Sequence, residues 1–320
     1  MNTKYILIVL GEPYSIFSEI IGRYFSKKKI KRKKIILIGN YNLLKKQLRK
    51  LNYKIKINKI ENFRQSETDT LNIININFFH KKTFTKITSK SNSYIEKCFE
   101  ETLKIIKKNY YQSYLINGPV SKTTFLNKKY LGITEYLSEK TKSKNPVMLI
   151  YNKKLAVSPI TTHIPVKHVS KSLSKRKIVN NVINIDKFYK KTLKKKAKFA
   201  ILGLNPHCES VDKISEEQKV IIPSIKFIKK KGINIKGPFS ADTFFLKSNI
   251  KNYDVVIGMY HDQVLTPIKT LYNFNAINLT LGLPFLRISP DHGPNASMMG
   301  KNKSDPASFF YAMKFLNKIN

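Results

Sequence analysis

Short apolar runs bounded by turn residues alternate with amphipathic stretches along most of this chain, and that alternation constrains its fold more than any other feature. The opening run YILIVL is followed by the turn GEPYS and then by IFSEIIGRYFSK, whose apolar residues recur at helical spacing. KKIILIGN and a second amphipathic stretch come next. Over residues 92–109, Ile95, Phe99, Leu103 and Ile106 share one helical face. SYLING, LAVSPITTH, FAILGLNPH and YDVVIGMYH read as further strands, and VMLIY with LAVSPITTH as a hairpin, because only NKK separates them. Helices are predicted over 172–193, near 215–231 and in the closing SDPASFFYAMKFLNKI. Residues 40–90 hold short apolar runs such as LNIININF without a decisive period. Strands alternating with helices predict an α/β fold. No internal repeat, coiled coil or low-complexity linker marks a domain boundary.

Three of the six histidines stand directly after buried-strand runs: His163 ends LAVSPITTH, His207 ends FAILGLNPH and His261 ends YDVVIGMYH. In an open α/β sheet the carboxyl ends of parallel strands form the edge where ligands bind. Histidines distant in sequence can therefore meet there. Imidazole is a common ligand for zinc and similar ions, and three protein ligands leave a position open for substrate. A single histidine of this kind is ordinarily a loop or capping residue; three in the same position point to a metal-assisted site.

Composition narrows the class. A chain of 320 residues with 42% hydrophobic content, 17 Tyr and 19 Phe buries a substantial core. Its two cysteines, Cys98 and Cys208, make no disulfide framework and suit a reducing compartment. The first apolar run is too short for a signal-peptide core, and no run approaches the ~20 residues that span a bilayer. The expected location is cytoplasmic. Sixty Lys and Arg against twenty Asp and Glu give a formal charge of +40, which by itself would attract polyanions. Lysine, isoleucine and asparagine are abundant throughout, as AT-rich codons would produce, and the lysines are scattered apart from the run at 27–34. The expectation is a solvated basic surface that helps attract an anionic metabolite, with no membrane and no specific nucleic-acid partner.

Chemically capable residues thicken after His207. Asp242 lies in GPFSADTFF, Asp262 follows His261, and Lys269, Asn278 and Arg287 recur at nine-residue intervals. Two cations and an amide near a metal suit a small substrate carrying phosphate or carboxylate. Arg287, bracketed by LPFL and ISP, needs an anionic partner or hydrogen-bonded support in so apolar a setting.

The segments NGPVSK (117–122), TTHIP (161–165), LNPH (204–207), ADT (241–243), MYHDQ (259–263), NLTLGLPFLR (278–287), SPDHG (289–293) and DPASF (305–309) occur in this order. Together they resemble the 4-hydroxythreonine-4-phosphate dehydrogenases of pyridoxal phosphate synthesis, and the opening GEPYSIFSE resembles that family's GDPAGIGPE. The resemblance covers nearly the whole chain. It implies the two-domain architecture of isocitrate and isopropylmalate dehydrogenases, with an interdomain cleft as active site at a homodimer interface. The division expected is 1–130 plus 278–320 for one domain and 131–277 for the domain carrying the histidines. By resemblance, His163, His207 and His261 bind a divalent cation (zinc, magnesium or cobalt), and Thr134, Lys269, Asn278 and Arg287 contact a small phosphorylated substrate. Asp242, Asp262 and Lys269 are the candidates for proton transfer, with the choice among them open. NAD is the implied cofactor, assigned to the segment containing His292, Gly293 and Asn295. The implied reaction oxidises 4-phosphooxy-L-threonine to a β-keto acid that decarboxylates to 3-amino-2-oxopropyl phosphate.

Three departures from the family pattern stand out. Its usual GHTE is Gly132-Ile133-Thr134-Glu135 here, its glycine-rich stretch after the second metal histidine is Cys208-Glu209-Ser210-Val211-Asp212, and its HGTAxDIAG reads His292-Gly293-Pro294-Asn295-Ala296-Ser297-Met298-Met299-Gly300. Lys128, Lys129 or Lys140 could replace the lost imidazole at position 133, and restoring histidine there is expected to lower KM a few-fold. The alternatives are a dehydrogenase for a different phosphorylated hydroxy acid, or a non-catalytic basic binding protein on the same fold.

Overall fold

The structure, a computed structural model, describes residues 4–27, 33–108, 113–127, 129–209, 214–273, 276–290 and 293–319. Its strands are β1 (Tyr5–Val9), β2 (Lys34–Gly39), β3 (Ile57–Ile60), β4 (Leu71–Asn75), β5 (Ser113–Asn117), β6 (Val147–Tyr151), β7 (Ala156–Thr161), β8 (Phe199–Leu202), β9 (Ile235–Phe239), β10 (Val255–Tyr260), β11 (Ile277–Leu281) and β12 (Leu286–Ser289). Contacts divide the chain into one unit of Met1–Ser143 with Leu283–Lys318 and another of Lys144–Gly282.

In the first unit the strands run in the order β3-β4-β2-β1-β5-β12, every neighbouring pair parallel. Strands covered on both faces need apolar side chains throughout, and Ile6, Leu7, Ile8, Val9, Ile36, Leu37 and Ile38 are fully buried. The helix Asn92–Lys108 lays Ile95, Phe99 and Ile106 into the core, with Leu103 partly buried beside them, as its spacing predicts. The ambiguous stretch before it holds β3 and β4 and the helix Tyr41–Lys50, whose first turn is capped by Asn40 accepting from the Leu43 N–H at 2.9 Å. The turns after β1 and β5 touch: Glu12 N–H donates to the Pro119 carbonyl at 2.8 Å. Gly11 permits this, since its φ is +70° and an added Cβ would lie 2.4 Å from the Pro119 oxygen.

The second unit orders its strands β11-β6-β7-β10-β8-β9. β11, β6 and β7 are antiparallel neighbours, and β6 and β7 form the hairpin expected from the short NKK link. From β7 onward the sheet is parallel: β7 pairs with β10, β10 with β8 and β8 with β9. The predicted helix over 172–193 forms as Lys175–Thr192, started by Ser174 accepting from the Lys177 N–H. The segment after YDVVIGMYH is helical from His261 to Tyr272, with Pro267 inside it. Among the described residues no helix is long and apolar enough to cross a membrane.

Candidate active site

β7, β10 and β8 are adjacent and parallel, so their carboxyl ends open on one edge of the second unit. His163 lies two residues beyond β7, His261 directly follows β10, and His207 lies a short turn beyond β8. The rings of His163 and His261 are 5.8 Å apart between centroids. His261 opens the helix His261–Tyr272, and its Nδ1 stands 2.6 Å from the Asp262 carboxylate. A carboxylate accepts only, so it holds the proton on Nδ1 and leaves Nε2 for a ligand. His207 takes a positive φ of 55° and is 73% exposed; its Nδ1 lies 3.9 Å from Asp242 Oδ2. The hydroxyl of Ser240, ahead of the His207 ring, holds the Asp242 carboxyl below its ordinary range.

The chemistry of this donor set fits a divalent cation: three imidazoles on the ends of three adjacent parallel strands, one of them oriented by a carboxylate. Side-chain convergence is partial. His163 and His261 are together, His207 is turned to Asp242, and among the described residues no three His, Cys, Asp or Glu side chains are grouped closely enough to hold an ion.

Two polar residues that the sequence did not single out fix this edge. The Thr161 hydroxyl donates to the Met259 carbonyl at 2.8 Å, tying the end of β7 to that of β10. Glu217, 1% exposed, receives the N–H groups of Leu204 and Asn205 at 2.7 and 2.9 Å and the Asn205 side chain at 2.8 Å. Burial alone would raise its pKa, but the bonds from Asn205 and Leu204 together outweigh burial and lower it. The LNPH turn is thus wrapped on a buried anion. Thr161 belongs to the TTHIP segment, but neither pairing can be read from the sequence, because Met259 lies 98 positions from Thr161 and Leu204 lies 13 from Glu217.

Of the remaining candidates in this unit, Lys269 is exposed on the helix that contains Pro267, and Asn278 is half-buried on β11 opposite Ile150. Among the described residues the buried Asn278 Oδ1 has no hydrogen-bond partner.

The first unit gathers a different set. Arg287 on β12 is only 2% exposed. Its Nε donates to Asn117 Oδ1 at the end of β5 and its Nη1 to Thr134 Oγ1, both at 2.8 Å. Burial draws its pKa down to about 9, with Glu135 opposing. The hydrogen-bonded support demanded by its apolar setting is therefore present. Ile133 does not stand free beside Thr134; it packs against the core of this unit. In the turn after β1, Glu12 is 1% exposed and burial pushes its carboxyl up to about 7, against hydrogen bonds from the Ser91 hydroxyl at 3.0 Å and the Tyr14 N–H. It lines a cavity of about 20 Å³, room for a single water.

For the expected NAD segment, His292 lies outside the described residues. Gly293 sits in open space, and Asn295 adopts a φ of 44° while accepting from the Ser297 hydroxyl at 3.0 Å. The segment is anchored to the helix Phe17–Lys27: Ile16 N–H donates to the Pro294 carbonyl at 3.2 Å, and Ser304 N–H donates to the buried Glu19 carboxylate at 2.6 Å.

The family described as pyridoxal phosphate biosynthetic protein PdxA matches residues 31–316. A 4-hydroxythreonine-4-phosphate dehydrogenase of Sulfurihydrogenibium sp. is 36% identical over 314 residues, covering 96% of this chain and 95% of its own. A D-threonate 4-phosphate dehydrogenase of Salmonella typhimurium is 28% identical over 95% of this chain and 96% of its own. The crystal structure of the Klebsiella pneumoniae 4-hydroxythreonine-4-phosphate dehydrogenase shares the fold, with a TM-score of 0.84, 24% identity and coverage of 98% of this chain and 99% of that one. On the strength of a match over most of its length, the chain belongs to the pyridoxal phosphate biosynthetic protein PdxA family.

Proposed function

We propose that the chain is an NAD-dependent 4-hydroxythreonine-4-phosphate dehydrogenase acting in pyridoxal phosphate synthesis. The observation that carries this reading is the family match across residues 31–316, with a relative of that name 36% identical over nearly the full length. The secondary alcohol of 4-phosphooxy-L-threonine is oxidised to a ketone, NAD+ becomes NADH with release of a proton, and the β-keto acid loses carbon dioxide. The family resemblance carries with it the fold of isocitrate and isopropylmalate dehydrogenases and a homodimeric assembly, and two cysteines without a disulfide framework favour a cytoplasmic setting.

His163, His207 and His261 are the residues that would hold a divalent cation, and Asp262 orients His261. Bound there, the cation would supply Lewis-acid polarisation and NAD the hydride acceptor. Arg287, fixed by Asn117 and Thr134, and Lys269 supply positive charge for the phosphate and carboxylate. Asn278 offers the substrate a buried acceptor, a fit for a donor such as its ammonium group. Asp242, exposed and held anionic beside His207, is the proton acceptor we favour over Asp262, whose carboxylate is engaged with His261. Gly293 and Asn295, with His292, are the proposed NAD contacts.

A second reading has a specific basis: the Salmonella relative acts by name on D-threonate 4-phosphate, which carries a hydroxyl where the aminated substrate has its nitrogen. Isoleucine at position 133, where the hydroxythreonine enzymes usually have histidine, is compatible with either. Parallel assays of NADH formation on the two substrates decide. The proposal predicts a kcat/KM at least tenfold higher for the aminated substrate; a preference for D-threonate 4-phosphate would replace it with the second reading.

A further inference from the structure

We infer that Gln263 is a positioning residue that sets the spacing of the histidine-bearing turns, by acting as a side-chain rung between β10 and β8 where their backbone ladder stops. The inference rests on the reading of His163, His207 and His261 as cation ligands.

The parallel pairing of these strands runs Val255↔Phe199, Val256↔Ala200 and Ile257↔Ile201, and the described register ends there. Beyond it, β10 continues to Tyr260 while β8 finishes at Leu202. The chains diverge toward His261 and His207, and buried peptide groups at a divergence need new partners. Gln263, from the first turn of the following helix, supplies them. Its Oε1 receives the Met259 N–H at 2.6 Å and its Nε2 donates to the Gly203 carbonyl at 2.7 Å. A primary amide has the donor and acceptor of a peptide group, so it replaces one rung of the ladder in both directions.

The surroundings are shaped to this amide. A Cβ on Gly258 would approach Gln263 Oε1 to 3.0 Å and Val264 Cγ1 to 2.4 Å, so the strand carries no side chain where the amide folds back. On the other side of Met259 the Thr161 hydroxyl caps the carbonyl, so both peptide groups of that residue are held by side chains. Past Gly203, Glu217 takes the next two N–H groups. The chain Thr161–Met259–Gln263–Gly203 and the adjoining Glu217 therefore connect the three strand ends from which the histidines depart. Gln263 is the only one of these side chains that bridges β10 to β8. Glutamate in its place keeps the acceptor for Met259 but loses the donor for Gly203, and methionine keeps the shape but loses both.

The test uses the full chain and Co2+ as a probe, read through its visible d–d absorption, with thermal unfolding of the cation-free protein as the folding control. Gln263→Met is expected to weaken Co2+ binding 10–100-fold and to change the d–d band, and Gln263→Glu to do the same to a lesser degree. A folded Gln263→Met protein that binds Co2+ with the native affinity and band shape overturns the inference, as does a native protein that fails to bind Co2+. Should Gln263→Met not fold, Thr161→Val decides: a 3–10-fold loss supports the network and unchanged binding refutes it. A native protein that binds Co2+ and shows the Gln263 effect, yet forms no NADH, would refute the dehydrogenase reading while leaving this positioning role in place.

Discussion

The two units both concentrate polar chemistry at the carboxyl ends of parallel strands, but they hold it in opposite ways. In the first, Arg287 and Glu12 are almost wholly buried and fastened directly by neighbouring side chains, Arg287 by Asn117 and Thr134, Glu12 by Ser91. In the second, His207 and Asp242 are exposed and His261 is partly so, while the buried Thr161 and Glu217 and the half-buried Gln263 hold the backbone from which they project. A charged group inside a core must be satisfied for the fold to stand, whereas an exposed ligand set contributes little until something binds. Substitutions in the first unit should therefore read out in stability, and those on the histidine edge in ligand affinity and turnover.

The largest effect expected on the histidine edge is from His261→Ala. Losing one proposed cation ligand should lower kcat/KM by at least about 100-fold, since Lewis-acid stabilisation is worth several kcal/mol. The melting temperature of the cation-free protein should stay nearly unchanged. A large drop in that temperature would break the contrast, by showing the imidazole to be structural. Arg287→Ala tests the other side. It strands the Asn117 and Thr134 acceptors and leaves a cavity, and should cost about 3 kcal/mol in chemical denaturation as well as activity. Loss of activity at unchanged stability would place Arg287 with the exposed set instead.

Glu12 sharpens the comparison through pH. Burial raises its carboxyl from the usual value near 4.5 to about 7 in the folded state. A raised acid contributes stability that is present in full below the unfolded value and is lost as pH rises through the folded one. The free energy of unfolding should thus fall between about pH 4.5 and 7, by up to about 3 kcal/mol. Glu12→Gln should flatten that slope, and an unaltered slope would assign it to other groups. The smallest effect concerns Ile133→His. From sequence the restored imidazole is expected to lower KM a few-fold, but the side chain packs against the core of the first unit. The nearby cations are also engaged, Lys140 with Glu96 at 2.9 Å and Lys129 with Glu139 at 3.7 Å, while Lys128 lies outside the described residues. The structure changes the expectation to a cost of about 1 kcal/mol in stability and a KM within about twofold. A several-fold fall in KM would show that position 133 faces the substrate.

What the sequence shows and what it hides follows from the range of each interaction. Buried strands such as YILIVL and KKIILIGN are legible because covering on both faces demands apolar residues in series. β3 is hidden because INKI at the edge of its sheet is only partly buried and mixes apolar and polar residues. The histidines are legible as residues ending strands, and two of them do meet. Their supports are not: Gln263 bonds to Gly203 sixty positions away, and Arg287 to Asn117 at a separation of 170. No local pattern signals such partners. The need for support at Arg287 could be read from its apolar neighbours, but Asn117 could not be identified as its partner.

The most direct test of the account is NADH formation from 4-phosphooxy-L-threonine and NAD+ by the purified full chain, measured before chelation, after chelation and after a divalent cation is restored. The account predicts turnover that chelation abolishes and the cation recovers, with His163→Ala, His207→Ala and His261→Ala all failing to recover. Turnover unaffected by exhaustive chelation, or native activity in any of the three histidine variants, would contradict it.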